Sequence, residues 1–366
     1  MALRELPVVG TNQAEAPSSN GRYGAAHART RDAYKDVPIL QRPPWGHDIS
    51  AYFYLGGVSC GSFVLGTLAE ALGGPRRQTL ARTAHYVAVA AMLPCAPLLI
   101  HDLGKRSRFH HMLRIFKPSS PMNLGAWALT AHGALSTLTA LRTLAGEAKL
   151  PIPGLNAVVT IIPTGVLAVA GVPPALALGG YTGVLIGTSS IPVWYKSPLL
   201  GGLFMASAMS TGSAAVTLVS ALSGRAEPDE HRVLAPYNLA LGLTETALLA
   251  GYHLTTGQWA RPLLRGRLGL LTAVATTGTV GGVALEAVSL RSEANRGLLT
   301  RLASGLTLVG GAALRWSMVF AGHASSQDRE GTIAAMERSV QDPGWRGESP
   351  ALSGERRHDM GAGRNE

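Results

Sequence analysis

LPIPGLNAVVTIIPTGVLAVAGVPPALALGGYTGVLIGTSSIPVWY, residues 150–195, runs for 46 positions without an Asp, Glu, Lys or Arg. Ordinary soluble domains carry about 25% charged residues, so a gap of this length points to a bilayer. A helix crosses the hydrocarbon with about 20 apolar residues. Drawn as one helix, the stretch would reach about 69 Å, more than twice the thickness to be spanned. Something must interrupt it, and the expected place is Pro173-Pro174, dividing 155–172 from 175–192. One long broken helix, a re-entrant segment followed by a span, or a hairpin of two spans would each satisfy that division. We read it as one crossing with an irregular, partly interfacial lead-in.

Further charge-free stretches cover 49–69, 83–101, 118–141, 197–224 and 268–285, and 233–260 and 302–327 carry one charge each, Glu245 and Arg315. Counting 150–195 once, about eight transmembrane helices are expected in an all-α integral membrane protein. The whole chain of 366 residues is 46% hydrophobic and 15% charged, which excludes disorder for most of its length. Two cysteines, Cys60 and Cys95, cannot hold an iron–sulfur cluster or the usual four-ligand structural zinc. The net charge of +10 would suit nucleic acid, but the basic residues fall in short clusters between long uncharged stretches. That is the pattern of membrane loops, so a lipid bilayer is expected as the partner and nucleic acid is not.

Residues 1–46 and 324–366 are polar and read as poorly ordered tails flanking a 47–323 transmembrane domain, apart from a short helix around Thr332–Val340. The first tail lacks the basic start and apolar core of a secretory signal. With eight spans both tails share a side, and that side then holds 21 basic residues against 10 opposite, although the loops alone stand at nine against ten. The positive-inside rule places both termini in the cytoplasm and the protein in the inner membrane. Four-residue glycine spacing at Gly57 and Gly61, at Gly179, Gly183 and Gly187, and at Gly278 and Gly282 is expected to bring helices close together, because lipid gives little hydrophobic drive between them.

Charged groups at depth need a partner or a task. Glu245 and Arg315 read equally as a structural ion pair and as part of a proton path. His85 and His101 lie 16 residues apart on one helix, turned about 160° from each other and about 24 Å apart, so they cannot clamp one haem. His132, near mid-span in the third helix, has no obvious partner at its depth, and reads first as a hydrogen-bonded interior residue. No haem is therefore expected in this chain. The loop from His101 through Asp102, Gly104, Lys105, Arg106 and Arg108 to Phe109 reads, taken alone, as a helix stop, an acid that caps or pairs with arginines, and a basic surface anchor.

The order of residues says more than their types. The run from Asp102 to Phe109, followed by Ser120-Pro121-Met122 and Gly125-Ala126-Trp127, resembles the NrfD/PsrC family, the polysulfide-reductase membrane subunits. Tyr181-Thr182-Gly183-Val184-Leu185 with Ile191-Pro192-Val193-Trp194 is similar to that family's fourth helix, and Leu203-Phe204-Met205-Ala206-Ser207 to its fifth. Gly310-Gly311-Ala312-Ala313-Leu314-Arg315 with Ala321-Gly322-His323 resembles its last. The matches span 48–327. Lys105 stands in a loop where the family often has arginine then proline, and the polar tails are long.

The resemblance implies eight helices in two four-helix bundles. It also implies a ferredoxin-like iron–sulfur partner subunit serving a molybdopterin (molybdenum or tungsten) catalytic subunit, and a quinone, menaquinone or ubiquinone, as exchangeable substrate. Tyr181 carries over from the family's fourth-helix tyrosine as a quinone contact; alone it would read as an interfacial aromatic anchor. His132 is the other quinone contact to be weighed, and Asp102, Glu245 and Arg315, read from their own places in the chain, are expected to form a proton path or a structural ion pair, Asp102 as a relay or as a cap on the loop arginines. Tyr181 lies about eleven residues before the end of its 175–192 span and Asp102 almost at the end of its own, so about 16 Å of depth is expected between them. On that reading they do not touch one ring. A secondary transporter, whose broken helices and buried charges mark substrate sites, and a haem-b-type membrane anchor are the competing readings.

Overall fold

The computed structural model describes residues 40–73, 77–147, 153–224, 230–328 and 332–333. Every regular element among them is helical. In chain order they are α1 (His47–Gly73), α2 (Gln78–Met92), α3 (Cys95–Asp102), α4 (Pro121–Gly146), α5 (Pro153–Thr160), α6 (Thr164–Gly187), α7 (Pro192–Tyr195), α8 (Leu200–Leu222), α9 (Glu230–Thr256), α10 (Gly266–Ser289) and α11 (Arg296–Gln327). Short 3₁₀ segments cover Arg106–Leu113 and Gly257–Leu264. Most of both expected tails, and most of the helix expected at Thr332–Val340, lie outside the described residues.

Seven helical stretches are long and apolar enough to cross a membrane: α1, α2 with α3, α6, α8, α9 with the 3₁₀ segment after it, α10 and α11. The protein is multi-pass. The 26-residue α4 is long enough but falls short in mean hydropathy, because Asn123, His132, Arg142 and several hydroxyl residues dilute its leucines and alanines.

The interruption of residues 150–195 is not where the proline pair suggests. Helix α6 runs through Pro173 and Pro174, and the chain breaks instead at 161–163, with Pro163 at the N-cap. Stopping a helix at mid-depth would strand backbone groups where no water can satisfy them, so two lost hydrogen bonds inside a continuing helix cost less than an end. The stretch folds as one long helix preceded by the short α5.

Helices α1 and α8 are the most buried and lie side by side at the centre. α1 packs on α2, α6 and α8; α4 packs on α6 and α2; α8 also meets α9 and α11; and α10 packs along α11. A β-carbon on Gly61 would stand 2.1 Å from the Ala208 carbonyl oxygen, and one on Gly212 would stand 2.4 Å from the Ser62 nitrogen. The Ser62 hydroxyl donates to the Gly212 carbonyl at 3.1 Å across the seam. Gly278 meets Gly310 with the same intimacy between α10 and α11, whereas Gly187, at the end of α6, meets nothing within 4 Å.

The segment before α1 is docked. Trp45 stacks on Trp194 at 5.6 Å, Trp194 Nε1 donates to the Met318 carbonyl at 2.8 Å, and Arg42 reaches His323 at 3.2 Å. Residues 40–46, expected to belong to a loose tail, are therefore pinned to the last helix by two indoles. At the same end Lys196 lies against the rings of Tyr195 and Trp259, an arrangement suited to a membrane–water boundary.

Candidate functional site

A cavity of about 70 Å³, partly open to the outside, lies where the start of α1, the end of α3, the loop after it, the start of α4 and the last turns of α6 converge. Its walls are apolar (Trp45, Ile49, Phe53, Leu99, Met112 and Met122 among them) except for three side chains, Tyr52, Asp102 and Tyr181. Apolar walls with a few convergent polar groups are what a flat, mostly apolar ligand requires.

Local sequence explains how each wall is held. Ser120 accepts from the Asn123 backbone nitrogen at the N-terminus of α4, with Pro121 in the first turn, a favoured helix start. The Asn123 side chain then accepts from the Lys117 nitrogen at 2.7 Å and donates to the Met112 carbonyl at 2.7 Å. One residue thus ties the basic loop down over the cavity. Gly125 faces Tyr181 so closely that a β-carbon would sit 2.0 Å from the phenol ring carbon Cζ. The Gly-Ala-Trp run is a socket for the tyrosine.

The structure brings Tyr181 and Asp102 to one cavity, against the 16 Å of depth expected from sequence. The reason is where α6 stops: it ends at Gly187, leaving Tyr181 six residues, about 9 Å, from its end. Among the described residues, no salt bridge within 4.0 Å ties Asp102 to Lys105, Arg106 or Arg108. Arg106 donates instead to the His101 carbonyl, and His101 pairs with Asp48 at 2.7 Å on the rim. Tyr52, two turns into α1 and 3% exposed, is the wall residue that sequence reasoning missed. The available signal was its position near the start of the charge-free 49–69 stretch, at the same end as Asp102.

His132 is not on this cavity. It is fully buried between α1, α2 and α4, with Nε2 2.9 Å from the Ser59 hydroxyl and the Phe63 ring edge-on at 5.4 Å. Ser59 gives its one proton to the Ala88 carbonyl at 2.8 Å, so Nε2 of His132 must be the donor to Ser59.

Glu245 and Arg315 face a common interior between α8, α9 and α11, 1% and 2% exposed. Among the described residues no salt bridge within 4.0 Å joins them. Arg315 Nη2 donates to the Phe204 carbonyl at 2.9 Å, and the guanidinium lies 4.1 Å over the Phe204 ring. Its Nε and Nη1 have no hydrogen-bond partner, and the Glu245 carboxyl faces the hydroxyls of Ser207 and Ser210.

The family profile described as "Polysulphide reductase, NrfD" matches residues 37–325. The chain belongs to the NrfD family. Among curated relatives, this NrfD chain is 25% identical over 243 residues to a selenate reductase subunit of Mesobacillus selenatarsenatis, covering 59% of this chain and 57% of that one. It is 24% identical over 314 residues to the protein NrfD homolog of Haemophilus influenzae, covering 78% of this chain and 98% of that one. The chain therefore spans a little over half of the first relative and nearly all of the second. Among its described residues, no group of three or more His, Cys, Asp or Glu side chains draws together as a metal site would require, and Cys60 and Cys95 are buried and free.

Proposed function

We propose that this NrfD protein is the membrane subunit of a multi-subunit oxidoreductase. It exchanges electrons between quinone, menaquinone or ubiquinone, and an iron–sulfur partner subunit serving a molybdenum or tungsten catalytic subunit. The observation that carries this is the convergence of Tyr181, Tyr52 and Asp102 on one otherwise apolar cavity beneath the basic loop. Reducing a quinone to a quinol takes two electrons and two protons. Phenol donors at the carbonyls orient the ring and favour the developing negative charge, and Asp102, on the loop side, passes protons to or from water. Electrons then leave to, or arrive from, a partner docked over the same end, where the loop presents Lys105, Arg106 and Arg108 beside the exposed apolar side chains of Phe109, Ile115 and Phe116. The name of the selenate reductase relative, one component of a larger enzyme, supports the multi-subunit reading.

The same reading makes α4 an eighth crossing and divides the crossings into two groups of four, α1, α2 with α3, α4 and α6 in one and α8–α11 in the other, with both termini on the cytoplasmic side. Two cavities support the crossing. Met122 and Gly125 of α4 meet the start of α1 at the tyrosine cavity, while Arg142 and Gly146 meet Glu70, near the end of α1, at another. α4 thus runs the length of α1. Its hydroxyls are spent on its own helix, with Thr130, Thr139 and Thr143 each donating four residues back, which lowers the cost of placing them in lipid.

The test is turnover of the assembled complex with quinone, beside turnover with a dye that bypasses the membrane subunit. Replacing Tyr181 by Phe keeps the ring and removes one hydrogen bond, worth about 0.5–1.5 kcal/mol, or roughly 2- to 13-fold in quinone affinity. Quinone-linked turnover falls and dye turnover holds. Two unchanged rates would reduce Tyr181 to an aromatic anchor.

A further inference from the structure

At the other end of α1 from the tyrosine cavity, the last turn of α1, the first turns of α2, the end of α4 and the start of α6 enclose a second cavity. It measures about 200 Å³, whereas one water occupies about 30 Å³ of liquid. His85, 1% exposed, closes its inner end. Its Nδ1 is turned toward Gly66 of α1, and its Nε2 stands 3.6 Å from Glu70 Oε2, too far for a hydrogen bond. Among the described residues neither ring nitrogen, nor Glu70 Oε2, has a hydrogen-bond partner. Buried polar atoms are costly when left unpaired, so this end calls for a ligand that brings a donor to the carboxylate.

The mouth carries the opposite charge. Arg142 donates through Nε to the Ile162 carbonyl at 3.2 Å, and Arg82 donates to Gln78 Oε1 at 3.4 Å and lies 3.7 Å from Glu147. The first turns of α2 and α6 also reach the cavity, through Gln78 and Thr164, and neither helix has a side-chain cap. Uncapped helix starts favour phosphate. Two guanidiniums set against Glu70 and Glu147 leave the surroundings close to neutral, which suits a ligand bearing both signs better than a bare anion. Beside the mouth the surface turns apolar: Ile161, Ile162 and Val166 flank Thr164 and are exposed, as is Leu72 at the end of α1. A polar cavity bordered by exposed aliphatic side chains at a helix end fits an amphiphile lying at the membrane boundary.

We propose that this cavity is a binding site for the zwitterionic headgroup of a phospholipid with a primary amine, a phosphoethanolamine. The ammonium enters first and donates to Glu70 Oε2 and to the unprotonated Nε2 of His85, occupying the gap between them. The phosphate follows, accepting from Arg82 and Arg142 at the mouth. The glycerol and acyl chains stay outside, along Ile161, Ile162 and Val166. Such a lipid ties together α1, α2, α4 and the break before α6, because each contributes a side chain to the headgroup or its border. The site is independent of what occupies the tyrosine cavity.

Native mass spectrometry of the assembled complex, stripped of lipid and titrated with single phospholipids of matched acyl chains, tests this without any quinone. Phosphatidylethanolamine is expected to bind about tenfold more tightly than phosphatidylcholine, whose quaternary nitrogen has no hydrogen to donate to Glu70. In Glu70→Gln, which keeps the shape and removes the charge, the preference should shrink to about threefold or less. Arg82→Gln should weaken both lipids alike, by about two- to fivefold because its guanidinium is half exposed, and this arm stands even if Glu70→Gln fails to assemble. Equal binding of the two lipids by the native complex would leave the cavity to water and overturn the assignment. A preference that survives Glu70→Gln unchanged, or lipid binding indifferent to Arg82→Gln, would overturn it too. So would soluble glycerophosphoethanolamine or inorganic phosphate competing as well as the lipid, since either would make this a solute site with no part for the acyl chains.

Discussion

Tyr181 keeps its place because residue 125 has no side chain. A methyl group there would overlap the phenol, so Gly125→Ala must push the ring out of the cavity while leaving its hydroxyl intact. Misplacing a reacting group by an ångström can cost about 100-fold, so Gly125→Ala should reduce quinone-linked turnover by roughly 10- to 100-fold, more than Tyr181→Phe does. Equal or smaller losses in Gly125→Ala would show that ring position does not matter. Glu245 and Arg315 belong to the same scale. Their carboxyl and guanidinium share an interior without a direct bridge, so a double-mutant cycle with Glu245→Gln and Arg315→Gln should show a coupling of about 0.5–3 kcal/mol, measured by thermal unfolding of the complex. Strict additivity would mean that the two groups ignore each other. The sequence singles out both, because each is the only charge in its stretch. It hides Glu286, whose charge ends the stretch 268–285 and so looks like a loop residue, yet the helix carries it inside.

Elements are held by backbone proximity more than by side-chain bulk. At the α1–α8 seam Gly61→Ala presses a methyl into the Ala208 carbonyl, and overpacking of this kind costs typically 1–3 kcal/mol. Gly187→Ala, in open space, should stay within about 0.5 kcal/mol. Thermal unfolding in detergent compares them, and equal stabilities would contradict the seam. α4 makes a separate prediction. If it crosses, reporters placed after Pro118 and after Lys149 lie on opposite sides of the membrane; the same side for both would remove the eighth crossing. Most of these helices are legible as charge-free stretches of span length. The helix boundaries are not, because proline is a poor guide where water is absent: Pro163 ends a segment, while Pro173 and Pro174 are carried through. That boundary decides the site. Ending α6 at Gly187 rather than near Pro192 puts Tyr181 about 9 Å from the helix end instead of about 16 Å, and no periodicity in the sequence fixes that end.

For the molecule as a whole, the two ends differ in kind. One end gathers the docked segment around Trp45, the basic loop, Lys196 between its aromatics and the tyrosine cavity; the other gathers Glu70, Arg82 and Arg142, with Glu286 one turn inside. Family membership was readable from the order of residues in the loop after α3 and in α6, even though hydropathy alone reports only a multi-pass protein. The central claim is that a quinone ring sits among Tyr52, Asp102 and Tyr181. A photoreactive quinone analogue, activated on the assembled complex in lipid and mapped by mass spectrometry, tests it most directly. The account predicts labelling of peptides containing Tyr52, Met122 or Tyr181, suppressed by excess natural quinone and weakened in Gly125→Ala. Labelling confined to peptides away from that cavity, or undiminished by competing quinone, would contradict it.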